Sequence, residues 1–340
     1  MNSYPTLTSL CIFMLSFFFL QAQAQEEISI RTIYADTNYN AFSSIIKFKG
    51  RYYCAFRSGE RHVYGKDGVA KVITSKDGIK WKEAVNIAQE GIDLRDPKLS
   101  VTPDGRIMLV VGGSIYQGKK LLGRVSKVAF SNKRGKKFSE LQDIILDPAV
   151  KGKKDWLWRV SWYQGSGYGV LYDRMDRTSA LVKTEDGIRY ELVSVFGLSG
   201  FPTEATVRFL PNGDMRIMHR QDGGDKMGYW GESKAPYTDW KWKAMDMRLG
   251  GPDFEILSDG SVLAATRIYR EEGPYTALMS GDVQGNFHEI YRLPSGGDCS
   301  YPGIVEEEDR ILVSYYSSHE GKARIYLAEV PKAYLLKIRE

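Results

Sequence analysis

The sequence contains few of the residues that bind metal ions or build disulfide scaffolds. Its 340 residues include only three cysteines and four histidines, with no Cys-x-x-Cys pair. The spacing typical of zinc sites is therefore missing. Cys54 and Cys299 lie beyond the N-terminal segment, where they could pair in an oxidising compartment but are too few to scaffold a fold. We expect no metal and no other cofactor.

Long apolar runs and blocks of one charge are also scarce. The 47 basic and 42 acidic residues, net charge +5, are spread along the chain, and short basic clusters such as residues 151–154 are typical of solvated turns. We therefore expect no nucleic-acid partner. The N-terminal apolar run, residues 10–20, is shorter than the roughly 20 residues that cross a bilayer.

Ala22-Gln23-Ala24 follows this run and has the small-x-small pattern that signal peptidase cleaves. We predict a signal peptide over residues 1–24 and a secreted or periplasmic mature chain from residue 25 to 340. No other window is apolar enough to span a membrane, so we expect no stable membrane insertion after cleavage. We also expect a monomer.

Apolar residues show no sustained 3.6-residue period, so helix should be scarce. Instead the chain repeats a hairpin pattern of two β-rich runs around a polar turn. The turns lie at Gly50, Gly105, Gly167, Gly213, Gly260 and Asp309. Successive turns are about 45 to 60 residues apart, which leaves room for the four short strands of a propeller blade. We predict one all-β domain, a six-bladed β-propeller, with a five-bladed propeller as the alternative.

A second motif follows the hairpin in several repeats. Its clearest copy runs from Ser75 through Asp77-Gly78 to Trp81, with weaker copies at 131–138, 184–190 and 280–287. This is the Asp-box pattern, and with the repeats it resembles the sialidase superfamily of glycoside hydrolases, in particular bacterial secreted sialidase-like proteins. The resemblance covers nearly the whole mature chain. It implies a six-bladed propeller whose axial site holds three carboxylate-binding arginines, a Tyr–Glu nucleophile pair and an Asp acid/base.

Two segments resemble the family's site. Glu204, followed by Arg220, resembles the segment of the catalytic Glu and one triad arginine, and Ser300-Tyr301-Pro302 resembles that of the nucleophilic Tyr. The first triad arginine has no counterpart, since the matching stretch is Asn40-Ala41-Phe42-Ser43. Asp67 matches the acid/base Asp only loosely.

The repeats also align charged residues without reference to any family. Seven residues after three turn glycines come Arg57, Arg220 and Arg267, and Arg174 occupies the same place after an ambiguous turn. Strand ends of equivalent blades converge on one mouth, and guanidinium groups suit carboxylate or sulfate. The pattern favours an anion site there. The alternative is that each arginine pairs with a loop carboxylate.

A second set begins the innermost strands. Its members are Arg95, Asp96, Arg159, Glu204 and Asp253. Burial raises the pKa of a carboxyl group and a neighbouring arginine lowers it, so the carboxyl groups of such a set can differ in pKa. Acid/base catalysis uses a pair of groups whose pKa values differ in this way. The alternative is a structural ring of ion pairs that seals the channel.

Aromatic and histidine side chains near strand ends complete the candidates. Tyr316 and His319 should lie near the mouth, with His319 as an alternative proton carrier. Several aromatics could line a sugar subsite, although Trp162 is better explained by packing between blades. These aromatics are Trp156, Trp158, Trp162, Tyr172 and Tyr229.

The favoured function is retaining hydrolysis of a terminal acidic sugar, sialic or uronic, from a glycan or polysaccharide. Tyr301 would attack, Glu204 would accept its proton, and Asp67 or Asp96 would protonate the leaving oxygen. Arg57, Arg220 and Arg267 would bind the anion.

Three alternatives remain open. Arg95-Asp96-Pro97 resembles a motif of five-bladed furanosidase-type hydrolases, a uronate lyase could use Tyr301 or His319 as its base, and a glycan-binding propeller would need no catalysis.

Overall fold

Six antiparallel sheets follow one another along the chain and surround a common axis. The computed structural model describes residues 27–150, 152 and 155–338, so the predicted signal peptide lies outside the described residues. The first strand of each sheet contacts the first strand of the next sheet, and that of the last sheet contacts that of the first. The described chain is a six-bladed β-propeller; the five-bladed alternative is wrong.

The first three blades are built from consecutive strands. Blade one contains β2 (Tyr39–Phe48), β3 (Arg51–Gly59), β4 (Val69–Ser75) and β5 (Trp81–Ile87). Blade two contains β6 (Asp93–Val101), β7 (Ile107–Gln117), β8 (Lys120–Phe130) and β9 (Gln142–Asp143). Blade three contains β11 (Asp155–Tyr163), β12 (Ser166–Asp173), β13 (Thr178–Thr184) and β14 (Arg189–Val195), with β10 (Ile145–Leu146) parallel to β14.

The last three blades repeat the pattern. Blade four contains β15 (Pro202–Phe209), β16 (Met215–Gln221), β17 (Met227–Ser233) and β18 (Lys241–Arg248). Blade five contains β19 (Asp253–Ile256), β20 (Val262–Arg270), β21 (Gly273–Gly281) and β22 (Phe287–Arg292). Blade six contains β23 (Cys299–Glu306), β24 (Arg310–Ser317) and β25 (Arg324–Pro331). A short helix, Lys332–Lys337, follows. Among the described residues, no helix has the length and apolar character needed to cross a membrane.

The ring closes by joining the two ends of the chain. Strand β1 (Ser29–Tyr34) pairs antiparallel with β25 and becomes the outer strand of blade six. An ion pair of 2.6 Å between Arg31 and Glu329 reinforces the junction. The two ends of the described chain thus share one blade, which closes the ring.

The Asp-Gly turns fold the blades. Asp77 accepts backbone hydrogen bonds of 2.8 Å from Ile79 and from Lys80, and Gly78 has a φ of +76°, which favours glycine. Trp81 donates to the Gly78 carbonyl at 2.9 Å and packs against a hydrophobic cluster with members in blades six, one and three. The two remaining cysteines, Cys54 and Cys299, are buried and free.

Innermost strands carry the feature that positions the site. In five of the six blades, the pairing register between the first and second strands shifts at a β-bulge or similar irregularity, at a similar position along the first strand. Phe42, Asp96 and Tyr301 lie at three of these shifts, with φ values of +67°, +51° and +52°. A β-bulge re-aims the side chains of its strand, and Tyr301 meets Phe42 in ring contact at one end of the channel.

Candidate active site

Tyr301 lies at the centre of this end of the channel and is held from several sides. Its ring lies against Gly251, where a Cβ atom would come within 2.6 Å of Tyr301 Cδ2. Ser43 donates a 2.9 Å hydrogen bond to the Tyr301 carbonyl oxygen. The rings of Phe42 and Trp158 contact the tyrosine edge-on, with centroids 5.1 and 5.6 Å away. The phenol is therefore positioned by residues of blades one and three and of the segment between blades four and five.

The phenol, a carboxylate and a guanidinium form one hydrogen-bonded group. Tyr301 Oη donates to Glu204 Oε1 at 2.8 Å, and Arg220 Nη1 donates to Glu204 Oε2 at 2.8 Å and to Tyr301 Oη at 3.3 Å. Thr203 Oγ1 donates to the same Glu204 oxygen at 3.0 Å. Three residues predicted from the sequence thus lie together, although they come from blades four and six.

Burial and neighbouring charges move the pKa values of Tyr301 and Glu204 in opposite directions. Burial and the charge of Glu204 raise the pKa of Tyr301 well above its ordinary value. Burial also opposes ionisation of Glu204, but the charge of Arg220 and the hydrogen bond from Tyr301 outweigh it and lower the pKa of Glu204. At neutral pH the phenol is therefore protonated and the carboxylate ionised. This is the arrangement in which Glu204 can accept the phenol proton.

Asp96 is a second carboxyl group at this end of the channel, and its environment differs from that of Glu204. It is only 6% exposed. The nearest guanidinium nitrogen, Arg95 Nε, is 4.0 Å away. Burial raises the pKa of Asp96 in spite of the charges of Arg95 and Lys98. This end of the channel therefore contains one carboxyl group with a lowered pKa, Glu204, and one with a raised pKa, Asp96.

Lys98 lies beneath the phenol. Its Nζ donates to the carbonyl oxygens of Phe42 and Ser43 at 3.1 and 3.3 Å and lies 5.5 Å from the centre of the Tyr301 ring. Burial and the charge of Arg159 lower the pKa of Lys98 to about 7. This buried amine changes its charge near neutral pH, next to the candidate nucleophile.

The buried lysine predicts a pH-dependent stability. An unfolded lysine titrates near pH ~10.4, whereas the pKa of folded Lys98 is about 7, so folding releases a proton between these values. Stability contributed through Lys98 therefore rises with pH across this window. In urea unfolding from pH 7 to 9, wild type should gain stability relative to Lys98→Met, approaching about 1.4 kcal/mol per pH unit. A difference independent of pH would contradict the buried, titrating amine.

A second polar group, centred on Asp298, lies beside the first. Its carboxylate accepts hydrogen bonds from Tyr316 Oη at 2.7 Å and Tyr39 Oη at 2.5 Å, contacts His62 Nδ1 at 2.5 Å and lies 3.3 Å from Arg267 Nη1. Burial opposes ionisation, but the hydrogen bond and charge of His62 lower the pKa of Asp298 to about 2. Arg267 and Tyr316 are thus held next to Tyr301 by an ionised carboxylate.

Arg57 is the predicted anion-binding arginine that is not at the open mouth. Its side chain is fully buried, pairs with Asp93 at 2.8 Å and donates to the Arg61 carbonyl at 2.7 Å. A Cβ atom at Gly68 would lie 2.3 Å from Arg57 Nε, so the loop covers the guanidinium closely. Arg57 therefore holds the loop that carries His62. Counting seven residues from the turn glycine predicted the position of Arg57 on its strand correctly. It did not predict that Arg57 pairs with Asp93.

Arg159 and Asp253 form an ion pair of 3.0 Å towards the other end of the channel. Arg208 adds a contact of 3.1 Å to Asp253 and one of 2.8 Å to Glu255. These side chains line a cavity of about 430 Å³ at that end. The pair fits the alternative of a sealing ion-pair ring. Arg159 still contacts the site indirectly, through a hydrogen bond to the carbonyl of Pro302.

Asp67 and His319 are exposed and are not in contact with Tyr301. Asp67 lies within range of the charges of Asp93 and Arg57. His319 Nδ1 contacts Ser317 Oγ at 2.9 Å, and its ring packs near Tyr326. Of the two acid/base candidates, the structure brings Asp96 and not Asp67 to the pair.

The predicted sugar-stacking residues divide between packing and the site. Trp156, Trp158 and Tyr172 are 5%, 1% and 3% exposed, so they form the wall of the channel end.

Arg174 is exposed and lies 3.9 Å from Asp222, which also pairs with Arg220 at 2.7 Å. Among the described residues, no three His, Cys, Asp or Glu side chains cluster closely enough to hold a metal ion.

Sequence reasoning missed Asp298, Tyr39 and Lys98 as members of this region. Lys98 begins an ordinary apolar strand pattern, and Tyr39 and Asp298 are separated by 259 residues. His62, which also contacts Asp298, lies three residues after the end of β3, and a position near a strand end is visible in the sequence.

Comparison with known proteins supports the fold. No protein-family model and no curated protein matches the chain. Among solved structures, a protein of unknown function from Dyadobacter fermentans has a TM-score of 0.77 at 20% identity, over 89% of this chain and 99% of its own. Trypanosoma rangeli sialidase in complex with sialic acid has a TM-score of 0.72 at 11% identity, over 91% of this chain and 60% of its own. NanB sialidase from Streptococcus pneumoniae has a TM-score of 0.68 at 10% identity, over 89% and 71%. This chain is similar in fold to these sialidases.

Proposed function

We propose that the protein is a retaining glycoside hydrolase that removes a terminal acidic sugar, of the sialic or uronic acid type, from glycans or polysaccharides. The observation that carries the proposal is the 2.8 Å hydrogen bond from Tyr301 Oη to Glu204, in a group that also contains Arg220. A neutral tyrosine is a suitable nucleophile where the substrate already carries a carboxylate, since a second anion would repel it.

The first half-reaction forms a covalent bond to the enzyme. Tyr301 Oη attacks the anomeric carbon while the glycosidic C–O bond breaks, and the phenol proton moves to Glu204. Asp96, whose pKa is raised by burial, donates its proton to the leaving oxygen. The leaving group departs as an alcohol, and the sugar remains bound to Tyr301.

The second half-reaction releases the sugar. Asp96, now ionised, takes a proton from a water molecule as that water attacks the anomeric carbon. The bond to Tyr301 breaks, and Glu204 returns the proton to the phenolate oxygen. Two displacements at one carbon retain its configuration.

Arg220 and Arg267 are the proposed ligands of the sugar carboxylate. Each guanidinium lies next to Tyr301 and is oriented by a carboxylate, Asp222 at 2.7 Å for Arg220 and Asp298 at 3.3 Å for Arg267. Phe42 stands where the resemblance places a third arginine, and its ring contacts Tyr301. A clamp of two arginines with an aromatic wall favours an acidic sugar whose ring has an apolar face.

Arg267→Gln should mainly weaken substrate binding. A hydrogen bond to a charged group contributes roughly 1.5 to 3 kcal/mol, so KM should rise about 10- to 100-fold while kcat falls less. Arg270→Gln, an exposed arginine on the same strand, is the matched control. Steady-state kinetics on an acidic glycoside measure both constants; an unchanged KM would remove Arg267 from the clamp.

A substrate screen tests the proposed function. Sialosides, uronosides and acidic polysaccharides are incubated with the protein, and released sugar is followed by proton NMR, which also records anomeric configuration. The expected result is a released acidic sugar with retained configuration. Inverted product, an unsaturated uronate, or release from neutral furanosides alone would each replace the proposed mechanism with another.

A further inference from the structure

Two arginines beside the Tyr301–Glu204 pair have no part in the proposed reaction. Arg95 precedes Asp96 in the bulge of β6, and Arg124 lies on β8 of the same blade. Trp156 of blade three lies between them: its ring centre is 4.1 Å from the Arg124 guanidinium carbon and 6.0 Å from that of Arg95. Arg124 is half-buried, and the Arg95 side chain is 11% exposed. They are therefore partly accessible cations on one wall of the channel end.

The local backbone is shaped to hold this arrangement. A Cβ atom at Gly112 would lie 2.6 Å from Trp156 Cε2, so the indole rests directly on the bare backbone of β7. On β7, Gly112 pairs with Arg95 of β6 on one side and with Ser126 of β8 on the other. Trp156 also stacks on Tyr172, with an interplanar angle of 6°. The indole is thus fixed, and it fixes the Arg124 guanidinium by stacking.

Neither guanidinium has a close carboxylate partner. Among the described residues no carboxylate lies within 4.0 Å of Arg124, and Arg95 has only Asp96, at 4.0 Å from its Nε. In contrast, Arg57, Arg220 and Arg267 have carboxylates at 2.8, 2.8 and 3.3 Å. Nε of Arg95, and Nε and Nη1 of Arg124, are buried without a hydrogen-bond acceptor in the described structure. Arg95 Nη1 has a neutral acceptor, Tyr116 Oη, at 3.4 Å. The remaining buried donors on these two neighbouring cations are unfavourable unless an anion neutralises them.

We propose that Arg95 and Arg124 form a second anion subsite, which binds a sulfate or carboxylate substituent of the saccharide beside the Tyr301–Glu204 pair. The substrate class is then a saccharide with two anionic groups, one for Arg220 and Arg267 and one for this subsite. The fork of a guanidinium group matches either oxyanion. That the occupant belongs to a saccharide rests on the proposed function; that it is an oxyanion rests on the two arginines alone.

Binding to the Tyr301→Phe variant tests the subsite without turnover. Calorimetry compares three disaccharides: glucuronate–N-acetylgalactosamine, the same disaccharide with a sulfate, and a disaccharide of two glucuronates. The second charge should tighten binding at least about 10-fold. Arg95→Gln/Arg124→Gln should bring the three dissociation constants within about twofold of one another. The sulfated and diuronate compounds show which oxyanion is preferred.

Two controls separate a specific site from general effects. Arg189→Gln, an arginine with a 70% exposed side chain, removes a positive charge elsewhere and should preserve the preference. Arg124→Lys keeps the charge but loses the fork and should lose most of the preference. A preference that survives in the double variant, or measurable binding of all three disaccharides by the parent without a preference among them, overturns the subsite.

Inorganic sulfate separates this proposal from the proposed function. Titrated against chloride at constant ionic strength, sulfate should shift the side-chain Nε–Hε NMR signals that disappear in Arg95→Gln and Arg124→Gln. If sulfate shifts them but no disaccharide binds, the subsite stands and the saccharide function fails. If sulfate leaves both signals unmoved, the subsite is wrong whatever the enzyme hydrolyses.

Discussion

Tyr301→Phe should lower kcat on an acidic glycoside by at least about three orders of magnitude, because it removes the nucleophile of the first half-reaction. The hydroxyl donates to Glu204 at 2.8 Å and accepts from Arg220 at 3.3 Å, so the substitution also leaves both partners without it. The ring contacts with Phe42 and Trp158 remain. Substrate binding should therefore change much less than kcat. Pre-steady-state kinetics and calorimetry measure the two separately.

Two further variants control this result. Tyr334→Phe removes a tyrosine hydroxyl that donates to the Ile290 carbonyl, far from the channel, and should leave kcat unchanged. Glu204→Gln should lose nearly as much as Tyr301→Phe, and the double variant should lose little more, since the two residues act as one unit. Losses that simply multiply would argue against a nucleophile pair.

Asp96→Asn should lower kcat about 10²- to 10⁴-fold on substrates with a poor leaving group. Asparagine cannot donate the proton, so the loss should shrink greatly with an activated aryl leaving group that needs none. The raised pKa of Asp96 and the lowered pKa of Glu204 also set the pH profile. Activity should fall as pH drops through the Glu204 value and as pH rises through the Asp96 value, and the second decrease should vanish in the variant.

Asp67→Asn is the matched control for Asp96. Both aspartates fit the acid/base role on sequence grounds, but Asp67 is exposed. Its replacement should change kcat less than about threefold. If Asp67→Asn shows the leaving-group dependence and Asp96→Asn does not, the acid/base assignment must be reversed.

The fold was predictable because its signals are local and repeated. Gly105 and Gly213 mark tight hairpins, and a repeat of about fifty residues matches the length of a blade. The six-sheet ring follows from counting these turns. Closure by β1 was harder to predict, because strand Ser29–Tyr34 is a single strand whose partner, β25, lies at the other end of the chain.

The candidate site was only partly predictable. Glu204, Arg220 and Tyr301 stand in recognisable segments, and the structure brings them within 3.3 Å of one another. Counting along the repeats gave the strand positions of Arg57 and Arg267 but could not distinguish a sealed ion pair from a partly accessible clamp. That distinction depends on the contacts of each guanidinium.

Other members of the site depend on contacts between distant blades. Asp298 gathers Tyr39 and His62 of blade one and Arg267 of blade five, and no local pattern records such pairs. Asp253 was predicted to lie on the same strand face as the channel carboxylates, yet it pairs with Arg159 towards the other end. Strand register alone therefore identifies candidates but not their partners.

Trapping of the covalent intermediate tests the central claim, that Tyr301 is a glycosidic nucleophile, most directly. The protein is incubated with fluorinated sialosyl and uronosyl fluorides, which form the intermediate faster than they release it, and is then analysed by intact-mass and peptide mass spectrometry. Our account predicts a mass increase of one fluorosugar, located on Tyr301 and absent from Tyr301→Phe. A sugar attached to another residue, or hydrolysis of the substrates without any adduct, would contradict it.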